Sequence, residues 1–167
     1  MLYTYFDDSS DPRHEKYFAA GGLIGSEPQW DFFDALWSGA VRGLESPFRS
    51  TECECNHGQF EQWSKQQCNE LMDKLVSILL ESKLMGFASV VPVAEYKRIF
   101  PQSPAHGPYF LAVGHTIVNM ATIGYWSQTN VSLCFEDSQT TSAGVRKLYW
   151  AFKNQKSWVP SAYVQIF

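Results

Sequence analysis

The chain has 167 residues, 45% of them hydrophobic and 16% aromatic, enough for one domain with a sizeable core. Its formal charge of -4 argues against a surface that coats nucleic acid, although clustered acids that hold a cation would themselves lower the net charge. No apolar stretch is long enough to span a bilayer, no basic segment precedes the first apolar run, and four cysteines (Cys53, Cys55, Cys68, Cys134) are too sparse for a disulfide framework, so the expected setting is cytoplasmic and reducing, with no membrane partner.

The first predicted element is a buried strand, Leu2-Tyr3-Thr4-Tyr5-Phe6, that runs straight into Asp7-Asp8-Ser9-Ser10. Residues 8–16 read as a polar turn around Pro12, and Tyr17 to Gly25 as a second strand, antiparallel to the first because the connection is short. Gly21 and Gly22 are poor strand residues unless something approaches closely or a bulge is needed. Ser26-Glu27-Pro28 opens a helix whose broad apolar face is Trp30, Phe33, Leu36, Trp37, Ala40 and Val41. Residues 47–58 read as irregular. A long helix is expected over Gln59 to Lys83, with Phe60, Trp63, Cys68, Leu71, Leu75, Ile78 and Leu79 inward.

Gly86 to Val93 reads as a third strand, with Pro92 at its exit. After a loop over residues 101–108, Tyr109 to Trp126 is a helix apolar nearly all round, with His115 inside it as a hydrogen-bonded core residue. Asn130 to Asp137 is a fourth strand that repeats the design of the first, apolar residues ending in Glu136-Asp137. A helix over Ser142 to Lys153 and a fifth strand over Ser161 to Phe167 complete a single α/β layered domain, 1–167, with a mixed sheet.

Two carboxylates at the mouth of a buried strand are costly unless they meet a cation, a proton or hydrogen-bond donors. The plainer reading is that one of them starts a turn. Two such pairs, each at a strand's carboxyl end, converge if their strands are parallel neighbours, because ligand sites of open α/β sheets lie there. Oxygen-only ligands suit Mg²⁺ or Mn²⁺, and the chemistry those ions support is phosphodiester cleavage.

The same residues carry a resemblance. The chain resembles the domain of unknown function 3800 family, which belongs to the ribonuclease H-like superfamily. That family opens with an apolar strand ending in Asp-Glu-Ser-Gly, matched by Asp7-Asp8-Ser9-Ser10. A strand with small residues follows, matched by Tyr17 to Gly25, and then a helix containing Trp, matched from Trp30. A Phe-His-x-x-Asp/Glu-like segment is matched by Phe48-Arg49-Ser50-Thr51-Glu52. A strand ending in Phe-Asp/Glu is matched by Phe135-Glu136. Asp8 stands where the family has Glu, and Arg49 where it has His. The family also continues into a helix with an Ala-Asp pair that supplies a further metal ligand, which this sequence lacks after Phe167.

The resemblance implies a ribonuclease H-like fold and a nuclease-like activity in which water, rather than an enzyme side chain, is the nucleophile. Asp7, Glu136 and Glu52 are the implied catalytic metal ligands, with Asp8 and Asp137 in reserve, and Mg²⁺ or Mn²⁺ the implied cofactor. Nucleic acid is the implied partner. The alternative is a catalytically inactive relative that binds nucleic acid or protein through the same fold. A third reading takes Cys53-Glu54-Cys55-Asn56-His57 as part of a zinc module, though its spacing differs from the common patterns.

The continuous apolar character of Tyr3 to Phe6 makes the first strand central, giving a five-stranded mixed sheet of order 3-2-1-4-5 with helices on both faces. The chain is also expected to be C-terminally incomplete, its last strand an open edge covered by a second copy or by a partner chain.

Overall fold

A computed structural model describes residues 1–11, 13–135, 142–155 and 157–166. In it β1 spans Leu2–Ser10 and β2 spans Tyr17–Ser26, an antiparallel pair in which Leu2 faces Ser26 and Ser10 faces Phe18. β3 (Met85–Pro92) pairs antiparallel with β2, β4 (Val131–Phe135) pairs parallel with β1, and β5 (Val164–Ile166) pairs parallel with β4. The sheet order is 3-2-1-4-5, as the sequence predicts, with β1 in the centre. The chain forms two compact units, one of Met1–Ser26 with Met85–Phe167 and one of Glu27–Leu84.

In the sheet unit, strand alternation sends Thr4 and Phe6 of β1, Phe18, Ala20 and Ile24 of β2, and Val131 and Leu133 of β4 toward one face, and all of them are buried. That face is covered by α5 (Gly107–Ser127), whose Ala112, Val113, Thr116, Ile117, Met120 and Ala121 are buried at helical spacing. The Thr4 hydroxyl, wholly buried, donates to the Met120 sulfur at 3.7 Å, which fixes the helix over the central strand. Fully burying one aliphatic side chain such as Ile117 contributes about 1.5–3 kcal/mol, so this face carries much of the unit's stability. β1 is less enclosed than a doubly buried strand: Tyr5, on the opposite face, is 51% exposed.

α6 (Ser142–Lys153) lies beside α5, where Gly114 leaves room for Leu148 and Phe152. It ties down the end of the sheet. Tyr149 Oη donates to the Val164 carbonyl at 3.1 Å, and Lys153 Nζ donates to the same carbonyl and to that of Ser161, each at 2.8 Å. Among the described residues the last strand starts later than the sequence suggests. Residues Val159–Tyr163 form a 3₁₀ helix, and among the described residues three pair with β4. Tyr163 packs edge-on against Tyr125 and donates its hydroxyl to Gln128 Oε1 at 2.9 Å.

The second unit contains α1 (Glu27–Ala40), α2 (Ser50–Glu54) and α3 (Lys65–Ser82). Rings on α1, the following loop and a 3₁₀ turn at Gly58–Phe60 meet in succession: Trp30, Phe33, Trp37, Phe48, Phe60 and Trp63, with neighbouring centroids 5.1–6.1 Å apart. The α1 face expected from its spacing is the one that packs, with no ligand role needed to explain its aromatics.

α3 starts later than expected. Ser64 accepts from the Gln67 backbone N–H at 3.2 Å while the Gln67 side chain accepts from the Ser64 N–H at 2.8 Å, a reciprocal cap that stops the helix from extending back to Gln59. Helix α2 lies within the stretch read as irregular, and α4 (Val93–Ile99) begins directly after Pro92, which ends β3 and caps the helix. Among the described residues, no helix is long and apolar enough to cross a membrane.

Candidate acidic site at the carboxyl end of the central strand

β1 is where the sheet changes direction of growth: the chain adds β2 and β3 on one side, then returns to add β4 and β5 on the other. β1 and β4 are parallel neighbours, so their carboxyl ends share one edge of the sheet, the usual location of ligand sites in such folds. The pairing runs from Leu2–Val131 to Phe6–Phe135. Beyond it, β1 continues for four residues that, among the described residues, pair with β2 alone, which carries Asp7 and Asp8 past the end of the described part of β4. The sequence predicts Asp8 in the turn, whereas the structure has it in the strand. Pairing with Ala20 keeps it in the strand, because two antiparallel strands can satisfy polar residues as readily as apolar ones.

Asp7 and Asp8 are both exposed and point to opposite faces, Asp8 toward the α5 side. The Asp8 backbone N–H donates to Asp7 Oδ1 at 2.8 Å, which orients the first carboxylate. Opposite this segment, β2 has the two glycines that the sequence singled out. A Cβ on Gly22 would collide with the Tyr5 carbonyl and with Phe6, and one on Gly21 would lie 3.0 Å from the Phe87 carbonyl. Close packing of neighbouring strands, not a ligand, accounts for both glycines.

The hairpin that carries these acids is closed by Asp11, which the sequence shows only as one more polar residue of the turn. Its carboxylate is buried and accepts four backbone N–H groups: Lys16 at 2.7 Å, Tyr17 at 3.1 Å, Glu15 at 3.2 Å and Arg13 at 3.3 Å. Burial alone would raise its pKa. The four donors outweigh that effect and hold it at about 2, below the usual carboxylate range. Asp followed by Pro and polar residues between two strands was the available sequence signal. His14 adopts a left-handed backbone conformation with φ 55°, stacks on Phe18 at 5.3 Å and shares a hydrogen bond of 2.8 Å with Ser10 Oγ through Nδ1. The loop is therefore pinned at both ends.

Of the other sequence-derived ligands, Glu136 and Asp137 lie outside the described residues. Glu52 sits on α2 in the helical unit, half-buried, with Oε1 3.9 Å from Arg49 Nε. Its neighbour Gly58 has φ 59°, and a Cβ there would come within 2.9 Å of Glu52 Oε2.

The cysteine-rich segment is split by burial. Cys53 is wholly buried, and its thiol donates to the Cys68 carbonyl at 3.6 Å. Cys55 and His57 are exposed, and His57 Nδ1 lies 3.6 Å from Glu61 Oε1. Burial pushes the Cys53 thiol up to about 11, reinforced by Cys68 alongside it, which disfavours the thiolate that zinc requires. Among the described residues, no three His, Cys, Asp or Glu side chains gather as a metal site. His115 is hydrogen-bonded as expected, to Ser89 Oγ at 3.2 Å, but it is exposed rather than in the core.

No protein-family model matches the chain, and no curated protein matches it at significant similarity.

Proposed function

We propose that this chain is a divalent-metal-dependent, nuclease-like domain of the ribonuclease H-like kind, acting on nucleic-acid phosphodiesters. The observation that supports this most is the parallel, in-register pairing of Phe6 with Phe135. Each is followed in sequence by an acid, Asp7 or Glu136, and the two strands meet where the sheet reverses its direction of growth.

The donor set fits a hard cation. Asp7 is exposed, oxygen-bearing and already oriented by a backbone hydrogen bond. Asp7 and Glu136 would hold Mg²⁺ or Mn²⁺, with Asp8 and Asp137 as neighbouring acids, and Glu52 enters through the family resemblance. When bound, the ion would supply Lewis acidity toward the phosphate and lower the cost of deprotonating water. The protein's own part is positional. Asp11 fixes the hairpin, and the hairpin holds the Asp7 carboxylate at the edge of the sheet.

Calorimetric titration with Mn²⁺, run beside a cleavage assay on single-stranded and duplex substrates, tests this reading. Asp7→Asn is expected to remove both Mn²⁺ binding and cleavage while the domain stays folded. Unchanged Mn²⁺ affinity in that variant would reject the assignment. Mn²⁺ binding without cleavage by the wild type would favour the inactive, nucleic-acid-binding relative.

A further inference from the structure

A cavity of about 380 Å³ opens at the edge strand β3, between it, α4 and α5. That volume falls in the range of sites for small ligands, roughly 300–1,000 Å³. Its walls are Val91, Tyr96, Ile99, Phe100 and Leu111, with Ser89 and His115 as a polar pair. Ile99, Phe100 and Leu111 are 59%, 49% and 47% exposed, an unusual concentration of large apolar side chains around one opening. The Tyr96 and Phe100 rings lie 5.1 Å apart at 43°. Tyr96 is held in place from behind, because its hydroxyl packs over Gly107 where a Cβ would collide with it.

Three further features define what fits. The Ser89–His115 hydrogen bond uses His115 Nδ1, and Nε2 makes no hydrogen bond among the described residues. Nε2 thus remains to donate or accept according to tautomer. At the rim, Glu95 is neutralised by Arg98, whose Nε and Nη2 donate to Glu95 Oε2 at 2.9 and 2.7 Å. The opening therefore tolerates an anion.

The third feature is position. Ser89 pairs with Ala20, and Ala20 pairs with Asp8, so the cavity is level with Asp8, which faces the same side of the sheet, across two strand spacings, about 10 Å. Both β1 and β3 are antiparallel to β2 and so parallel to each other, which places the cavity at the same end of the sheet.

We infer that this cavity receives one unstacked base of a single-stranded nucleic acid whose backbone passes Asp8 at the carboxyl end of β1. The inference rests on the nuclease-like reading and deepens it by naming the form of the substrate. A base offers a flat π-face for Tyr96 and Phe100 and polar edge atoms for His115, whereas in a duplex both faces are already stacked.

The probe is a short single-stranded DNA carrying one 2-aminopurine, titrated with the protein in EDTA so that no metal contributes. Wild type is expected to quench the probe saturably, and a duplex of the same sequence is not. Phe100→Ala removes a stacking partner and should weaken binding about tenfold. Leu111→Glu, at a half-exposed helix position, should weaken it at least as much by placing a carboxylate in the opening. Phe100→Tyr should bind like wild type.

Melting temperatures establish that each variant is folded. Absence of quenching by wild type overturns the inference, as does equal affinity for wild type, Phe100→Ala and Leu111→Glu. Quenching that persists in a protein found to bind no Mn²⁺ upholds the cavity and overturns only the nuclease-like reading. Mn²⁺-dependent cleavage with no quenching does the reverse.

Discussion

Phe6 and Phe135 are direct partners in neighbouring parallel strands, and each is the last apolar residue before an acid in the sequence. That pairing is what makes Asp7, among seventeen acidic residues, the one to test first. Asp7→Asn and Asp8→Asn should differ, since the two side chains leave opposite faces of β1. On the proposed metal-site reading, Mn²⁺ is expected to raise the melting temperature of the wild type, Asp7→Asn to abolish that rise, and Asp8→Asn to reduce it only in part. Thermal melts with and without Mn²⁺ provide the measurement, and equal losses in the two variants would contradict this assignment.

Gly22→Ala should destabilise the sheet unit by about 1–3 kcal/mol, because the added Cβ runs into the β1 backbone at Tyr5 and Phe6, and neither strand can move without disturbing a five-stranded sheet. Gly39→Ala, at a helical position with open space around it, should be neutral or slightly stabilising. Urea denaturation of the two variants side by side would reveal the contrast.

Asp11 gives the protein a specific acid sensitivity. Its carboxyl has a pKa of about 2 in the folded state against an ordinary value of 3.8, so the folded state favours the ionised form. The stability it contributes is fully present above about pH 4 and is lost as pH falls from there toward 2. In Asp11→Asn this segment of the stability–pH curve should flatten. An NMR titration of the Asp11 carboxyl carbon that gives a midpoint near 4 would show that the four N–H donors do not act on it as the geometry requires.

The cysteines should differ in reactivity. Cys55 is exposed, whereas the Cys53 thiol is wholly buried with its pKa pushed up to about 11. At pH 8 iodoacetamide should modify Cys55 within the native protein and leave Cys53 untouched until the helical unit unfolds. Peptide mapping by mass spectrometry reads both sites at once.

Lys153 holds the end of the sheet through the carbonyls of Ser161 and Val164, and its burial there lowers its pKa from the ordinary lysine value. Lys153→Met keeps the stem but leaves two carbonyls short of a donor, for a cost of about 1–3 kcal/mol. Tyr149→Phe removes a second donor to Val164, so the double variant should lose more than the sum of the two single losses, because either donor alone still serves that oxygen and only the double variant strips it of both. A double-mutant cycle by chemical denaturation measures the difference.

The sequence by itself determined the order of the strands. An apolar run such as Tyr3 to Phe6 must lie where neighbours can pair on both sides, and the short hairpin connection makes β2 one of those neighbours. It also determined the face of α1, because helical spacing of large apolar residues leaves few alternatives, whereas α5, apolar nearly all round, showed no face in the sequence. The reciprocal cap at Ser64 and Gln67 was equally local and could have been read from their spacing.

Tertiary structure alone decided the rest, since the groups involved are distant in sequence or act through the backbone. Asp11 becomes an anchor only when the hairpin turns four N–H groups toward it. Ser89 and His115, 26 residues apart, become a pair only when α5 crosses the edge strand. Asp8 remains in the strand only because β2 is there to pair with it. Hydrophobic periodicity specifies which side of an element is buried, but it carries no information about which polar group will meet which donor once the elements are packed.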